Sequence, residues 1–153
     1  MAKEMKIVVF MLGRDEYGVE VEKVKTIERM MPITRVPKTY DFIKGVINLR
    51  GVVIPVIDLR GRFGLPEEEA TDQTRIIILA HAELEVGFIV DNASDVMDIN
   101  EEDIEPAPEV VGGIQAKYLR GVAKIGEDRL LIMLNLAEVL NRGEIVKFEQ
   151  PEA

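Results

Sequence analysis

Apolar residues in this chain fall into short, dense runs instead of the three-and-four spacing of an amphipathic helix. Ile7-Val8-Val9-Phe10-Met11-Leu12 is followed by a Gly/Arg/Asp turn and then by Tyr17-Gly18-Val19-Glu20-Val21. Farther on, Ile76-Ile77-Ile78-Leu79-Ala80 is followed by a polar turn and then by Val86-Gly87-Phe88-Ile89-Val90-Asp91. Runs of this length, rich in Ile and Val and bounded by Gly, Asp and Asn, predict β-strands joined by tight turns. Helices are few. Asn135 with Glu138 three positions on is a capping-box pattern opening a C-terminal helix over 136–141. Asp58 is a matching N-cap for Leu59 to Phe63, which Gly64 can terminate.

The runs also repeat. An offset of 69 carries Ile7 onto Ile76, Gly18 onto Gly87 and Pro37 onto Pro106. Phe42-Ile43-Lys44-Gly45-Val46 matches Tyr118-Leu119-Arg120-Gly121-Val122 at an offset of 76, and Ile54 to Leu59 matches Leu131 to Leu136 at 77. The extra residues of the second copy fall most simply in 108–117, around Gly112-Gly113. Such an ordered duplication predicts a mainly β fold of two small barrels, each about half of the chain. Units so small bury little surface alone, so a shared hydrophobic interface is expected. The approximate subdomains are 14–80 and 81–134 within one domain spanning 1–153, with the N-terminal strand (5–12) and the C-terminal helix crossing between them.

Three local features bear on the site. Glycines 18, 45, 87 and 121 sit inside strand patterns, where glycine marks a bulge, a barrel corner or a close backbone approach. Pro55 removes a ladder donor, which predicts an edge or bulged strand, either a docking edge or a barrel rim. Val21, Val24 and Ile27 recur every third residue, but the reading preferred here is a strand through Val21 and then a turn.

Composition narrows the chemistry. The 153 residues include one histidine, one serine and no cysteine, so disulfides and thiol chemistry are excluded. Ser94 lacks a nucleophile-elbow context, and His81 is expected in a solvated hairpin loop. A net charge of −9 opposes binding to phosphate backbones. No apolar run is long enough to span a bilayer, and no signal-peptide pattern opens the chain, which together predict a cytoplasmic protein without membrane insertion. The acidic run Glu101-Glu102-Asp103-Ile104-Glu105 lacks the alternation and turn of a metal loop and reads as solvated surface. Met30-Met31 reads as core filling or as an adaptable binding surface.

In a duplication, positions needed for the fold should agree between copies, and positions that differ can carry function. Asn48-Leu49-Arg50-Gly51 falls opposite Lys124-Ile125-Gly126-Glu127. Arg50 is thus either an interface residue or the cap of a hairpin turn.

The block from Phe42 through Gly45, Arg50, Pro55 and Asp58 to Arg60 resembles the central signature of the CheW family of chemotaxis coupling proteins. Glu16 to Val24 resembles that family's first hairpin, and Val86 to Asp91, Asp95-Val96 and Pro106-Ala107-Pro108 resemble its second half. The resemblance spans about residues 5 to 142. It implies two five-stranded, SH3-like β-subdomains and a non-catalytic, cofactor-free adaptor. The implied partners are the cytoplasmic tip of chemoreceptors and the regulatory domain of the chemotaxis histidine kinase, with kinase and adaptor alternating in rings beneath membrane-associated receptor arrays. By position, it implies receptor contacts at Val24, Ile27, Gly45, Arg50, Ala93 and Val96, and kinase contacts at Thr74 and Arg75. Thr26 and Arg75 depart from the family pattern, where a glutamate and an apolar residue would be expected. Competing readings are a regulatory fragment of the kinase, part of a receiver-fused adaptor or, from another class, an oligosaccharide- or nucleic-acid-binding barrel. The last would call for exposed aromatics or a basic face; the chain has no Trp and 5% aromatics.

Overall fold

The computed structural model describes residues 3–37, 42–81, 83–108, 110–111 and 114–140. Thirteen strands and two short helices are present among them: β1 (Glu4–Leu12), β2 (Asp15–Glu20), β3 (Val24–Arg29), β4 (Ile43–Leu49), β5 (Val52–Asp58), α1 (Leu59–Phe63), β6 (Arg75–His81), β7 (Leu84–Val90), β8 (Asn92–Asn100), β9 (Ile104–Glu105), β10 (Val110–Val111), β11 (Ile114–Gln115), β12 (Leu119–Ile125), β13 (Arg129–Leu134) and α2 (Leu136–Val139). The expected helix at 59–63 is present, opened by the Asp58 carboxylate accepting from Arg60 N and closed by Gly64 at φ 77°. The C-terminal helix starts where expected. Asn141, the last residue of its expected span, lies outside the described residues, as do Gly112 and Gly113.

The strands form a six-stranded sheet ordered β8-β1-β2-β13-β12-β9, a five-stranded sheet ordered β3-β6-β7-β5-β4, and a β10-β11 ribbon. Both larger sheets are rolled. In the first, the edge strands β8 and β9 are joined only by the turn 101–103. Asn100 and Ile104 can then be at most about 14 Å apart, whereas five strand-to-strand steps would part flat edges by about 24 Å. In the second, the chain beyond edge strand β3 reaches β4 at the opposite edge, where Thr34 and Val46 exchange both backbone hydrogen bonds at 2.8 Å. The short β9 closes the first barrel in the same way, pairing with β12 at Val122 and Ala123.

Gly45 and Gly121 are what these closures require. A Cβ on Gly45, at φ 147°, would sit on the Thr34 carbonyl oxygen, and a Cβ on Gly121 would sit on that of Glu105. Each glycine also marks a register shift in its strand, against β5 and β13 respectively. The close-approach reading of these positions therefore holds.

The two copies do not each make one barrel. The whole first hairpin, β1-β2, joins the sheet of β12 and β13, while the second-copy hairpin β6-β7 joins β3, β4 and β5. The barrels thus draw on residues on both sides of the 14–80 and 81–134 boundary: β2 pairs with β13 and β7 with β5, each in parallel. An offset repeat reveals which strands are equivalent; it carries no information about which pair.

This exchange explains why β1 and β6 are apolar on both faces. Along β1, Ile7 and Val9 point into the first barrel, and Val8, Phe10 and Leu12 into a core between the barrels. Along β6, Ile76 and Ile78 fill the second barrel, and Ile77 and Leu79 join the shared core. That core also takes Tyr17, Phe63, Phe88 and Val139, drawn from both sheets and both helices. The helices are tied together by Arg62, whose guanidinium lies over the Phe42 and Tyr118 rings and donates to Val139 O at 2.8 Å. Met30 and Met31 pack on the second barrel's interior and so serve as core filling.

Two local expectations need correction. The strand expected through Val21 ends at Glu20, and a 3-10 turn over 21–23 leads directly into β3. His81 is the last residue of β6, paired with Leu84, not part of a solvated loop. Its Nδ1 is buried, and burial, reinforced by the Lys23 charge, lowers its pKa. Pro55 lies inside the sheet order, but β7 pairs with β5 only from Val56 onward, so the missing N–H falls where β5 has a single neighbour.

Candidate functional site

The chain crosses between barrels at the turn 21–23 and again at Asp91, and each crossing opens an edge strand, β3 and β8. Both strands carry a bulge at the same place in the repeat. Between Val24 and Thr26 the register to β6 slips by one residue, leaving Lys25 without an opposite number; between Ala93 and Asp95 the register to β1 slips over Ser94. In a regular strand, side chains three apart point to opposite faces. The extra residue cancels the odd spacing. Val24 opposes Leu79 and Ile27 opposes Ile77, while Ala93 opposes Phe10 and Val96 opposes Val8. Directly opposed residues share a face, and all four partners belong to the shared core.

Val24, Ile27, Ala93 and Val96 therefore extend the face of the interbarrel core outward along two edge strands. Val24 and Ala93 are half-buried and packed on that core, while Ile27 and Val96 are 42% and 54% exposed. Exposed apolar side chains continuous with a core and bordered by polar groups are characteristic of protein-binding surfaces. The bulges escaped sequence reasoning, although the every-third-residue spacing of Val21, Val24 and Ile27 was their signal.

The remaining candidates separate. Arg50 (φ 50°) and Gly51 (φ 88°) form the two-residue loop of the β4-β5 hairpin, the positive φ values being those of a type I′ turn. The Asn48 side chain accepts from Gly51 N at 2.8 Å. The Arg50 side chain is 71% exposed and reaches Glu28 of β3 at 3.7 Å, beside Ile27. Arg50 thus caps the hairpin and is tied through Glu28 to the edge strand that carries the apolar margin. The second copy instead has a three-residue loop, 126–128, which accounts for the offset changing from 76 to 77. Gly45 is buried beneath Thr34 and presents nothing to a partner. Thr74 is also buried; its Oγ1 accepts from Thr71 N at 2.8 Å. Arg75 is half-buried, its guanidinium donating to the Asp72 and Thr74 carbonyls at 2.8 and 2.9 Å.

A CheW-like domain model matches residues 6–144. The chain belongs to the CheW family. It is 49% identical to the chemotaxis protein CheW of Bacillus subtilis over 137 residues, covering 90% of this chain and 87% of that one. It is 30% identical to CheW of Thermotoga maritima over 138 residues, covering 90% and 89%. The crystal structure of the scaffolding protein CheW from Thermoanaerobacter tengcongensis superposes with a TM-score of 0.80 at 40% identity, covering 88% of this chain and 86% of that one. The mainly β, two-barrel fold is accordingly that of the family, and the chain is a chemotaxis adaptor rather than an enzyme. No helix among the described residues is long and apolar enough to cross a membrane.

Proposed function

We propose that the apolar margin carried by β3 and β8 receives the helical hairpin at the cytoplasmic tip of a chemoreceptor, and that a separate face at the start of β6 binds the regulatory domain of the chemotaxis histidine kinase. The first part rests on one observation: paired bulges place four apolar side chains on the face of the shared core and leave two of them in solvent. A helix presenting apolar residues three and four apart fits a surface of this kind, the flanking strands supplying contacts on either side. Arg50, exposed and paired with Glu28 on the same edge strand as Ile27, supplies a polar rim contact.

The kinase face is supported by the ordering of Arg75 on two backbone carbonyls, which holds its side chain in place where β6 begins. Thr74 contributes to that face only through its backbone, because its hydroxyl is already used internally. Two distinct faces on one small chain give a scaffold that joins receptor and kinase in an array at the membrane. The reading is tested by calorimetry of the full chain against a receptor-tip fragment and, separately, against the kinase regulatory domain. Ile27→Asp should abolish the first interaction and spare the second; equal loss of both would refute the division into two faces.

A further inference from the structure

The two barrels meet at two chain crossings, and these are pinned unequally. At Asp91 the main chain passes from β7 in the second barrel to β8 in the first. Asp91 N donates to Met11 O at 2.9 Å, and its carboxylate accepts from Gly13 N at 2.7 Å and from Arg60 Nε at 3.0 Å and Nη2. Gly13 is in the β1-β2 turn of the first barrel, whereas Arg60 is in α1, attached to β5 of the second. Arg60 is only 9% exposed and also donates to Pro66 O at 3.1 Å. One carboxylate therefore holds elements of both barrels at the point where the chain passes between them.

The repeat places Glu22 at the position of Asp91 and Ala137 at the position of Arg60, by the offsets of 69 and 77. Glu22 is exposed and forms no ion pair among the described residues. Where a guanidinium fills the first junction, the second holds a cleft of about 260 Å³ lined by Lys23, His81, Asn135 and Ala137 among others. One junction is pinned and the other is open.

We propose that Arg60 is a positioning residue: through Asp91 it sets the angle between the barrels, and with it the separation of β3 and β8. The consequence for binding rests on the receptor-groove reading above, but the geometric claim does not. A planar guanidinium making two parallel bonds fixes direction as well as distance, which an ammonium cannot do. Without it, the barrels remain joined by an apolar core, which resists separation more than rotation, and by Arg62, whose bonds to the Glu138 and Val139 carbonyls hold α1 to α2 at one point and leave it as a pivot. The open cleft at Ala137 leaves room for that rotation.

The test uses residual dipolar couplings of the full-length, isotopically labelled chain, with no partner present. In Asp91→Asn and in Arg60→Lys, couplings within each barrel should still fit the wild-type barrel, while the alignment of one barrel relative to the other shifts or averages. Glu22→Gln, at the equivalent position of the unpinned junction, should change neither. Receptor-tip affinity should fall at least about fivefold in the first two variants. An unchanged barrel-to-barrel orientation in folded Arg60→Lys overturns the proposal, even if Asp91→Asn fails to fold. So do couplings that change as much within barrels as between them, since a merely structural role predicts that result. Should the wild-type chain fail to bind the receptor fragment, the groove reading falls and the dipolar measurement still decides this one.

Discussion

Gly45 stands in the family's central signature and was a candidate for receptor contact, yet the fold gives it a different task. Alanine there would need φ near 147°, a region L-residues rarely adopt, and its methyl group would occupy the place of the Thr34 carbonyl oxygen. Backbone strain of this kind costs about 1–3 kcal/mol. Relief requires moving Thr34 away and giving up the two Thr34–Val46 hydrogen bonds that close the barrel, each worth about 0.5–1.5 kcal/mol. Together these place the loss for Gly45→Ala near ~4 kcal/mol. With a urea m-value of about 2 kcal/mol/M, the unfolding midpoint followed by circular dichroism should drop by about 2 M. Gly121→Ala should behave alike, because the Glu105 carbonyl plays the part of Thr34 in the other barrel. A Gly45→Ala protein that lost less than about 1 kcal/mol of stability but no longer bound a receptor fragment would refute this reasoning and restore Gly45 as a contact residue.

Val24→Asp should damage both fold and binding, because Val24 packs on the shared core, whereas Arg50→Ala should weaken receptor binding with the melting temperature unchanged. Phe88→Ala, in the core common to both barrels, should cost about 3–5 kcal/mol and still give one cooperative transition by calorimetry; two resolved transitions would mean that the barrels fold independently. Burial alone would raise the Asp91 carboxyl, but the Arg60 and Gly13 hydrogen bonds and the Arg60 charge hold it below the usual carboxylate range; Glu16 is lowered by its hydrogen bonds to Arg129 against a smaller effect of burial. Both groups therefore stabilise the fold above the ordinary carboxylate pKa of about 4, and that contribution is lost as pH falls through their depressed values. Acid unfolding of Asp91→Asn should show a shallower pH dependence than wild type below about pH 4.

Much of the architecture could be read from the chain because a duplication states the same fold twice. Gly45 and Gly121 recur because both barrels close by the same backbone crossing, and Asp58 and Asn135 recur because each opens a helix after an equivalent strand. Strand exchange was hidden for a physical reason. β1 and β6 are equally apolar on both faces, so either could have filled either barrel. His81 was misplaced because its neighbours look like a turn, whereas it ends β6 paired with Leu84, with the imidazole partly enclosed by the cleft. At the site, the apolar identity of positions 24, 27, 93 and 96 was legible, but not how they come to share a face. That depends on bulges at Lys25 and Ser94, whose only trace in the sequence is an odd spacing between apolar residues. The Arg60–Asp91 pin joins residues 31 apart through tertiary packing and leaves no local pattern.

In the proposed receptor-facing surface, the solvent-exposed apolar residues are Ile27 and Val96, on pseudo-equivalent edge strands. Each is exposed enough for substitution to leave the fold within about 0.5 kcal/mol of wild type. Titration calorimetry of a receptor-tip fragment into wild type, Ile27→Asp and Val96→Asp is the direct measurement. Wild type should bind, and each variant should lose roughly 2 kcal/mol or more, with unfolding midpoints preserved. Wild-type affinity in both folded variants would contradict that surface assignment.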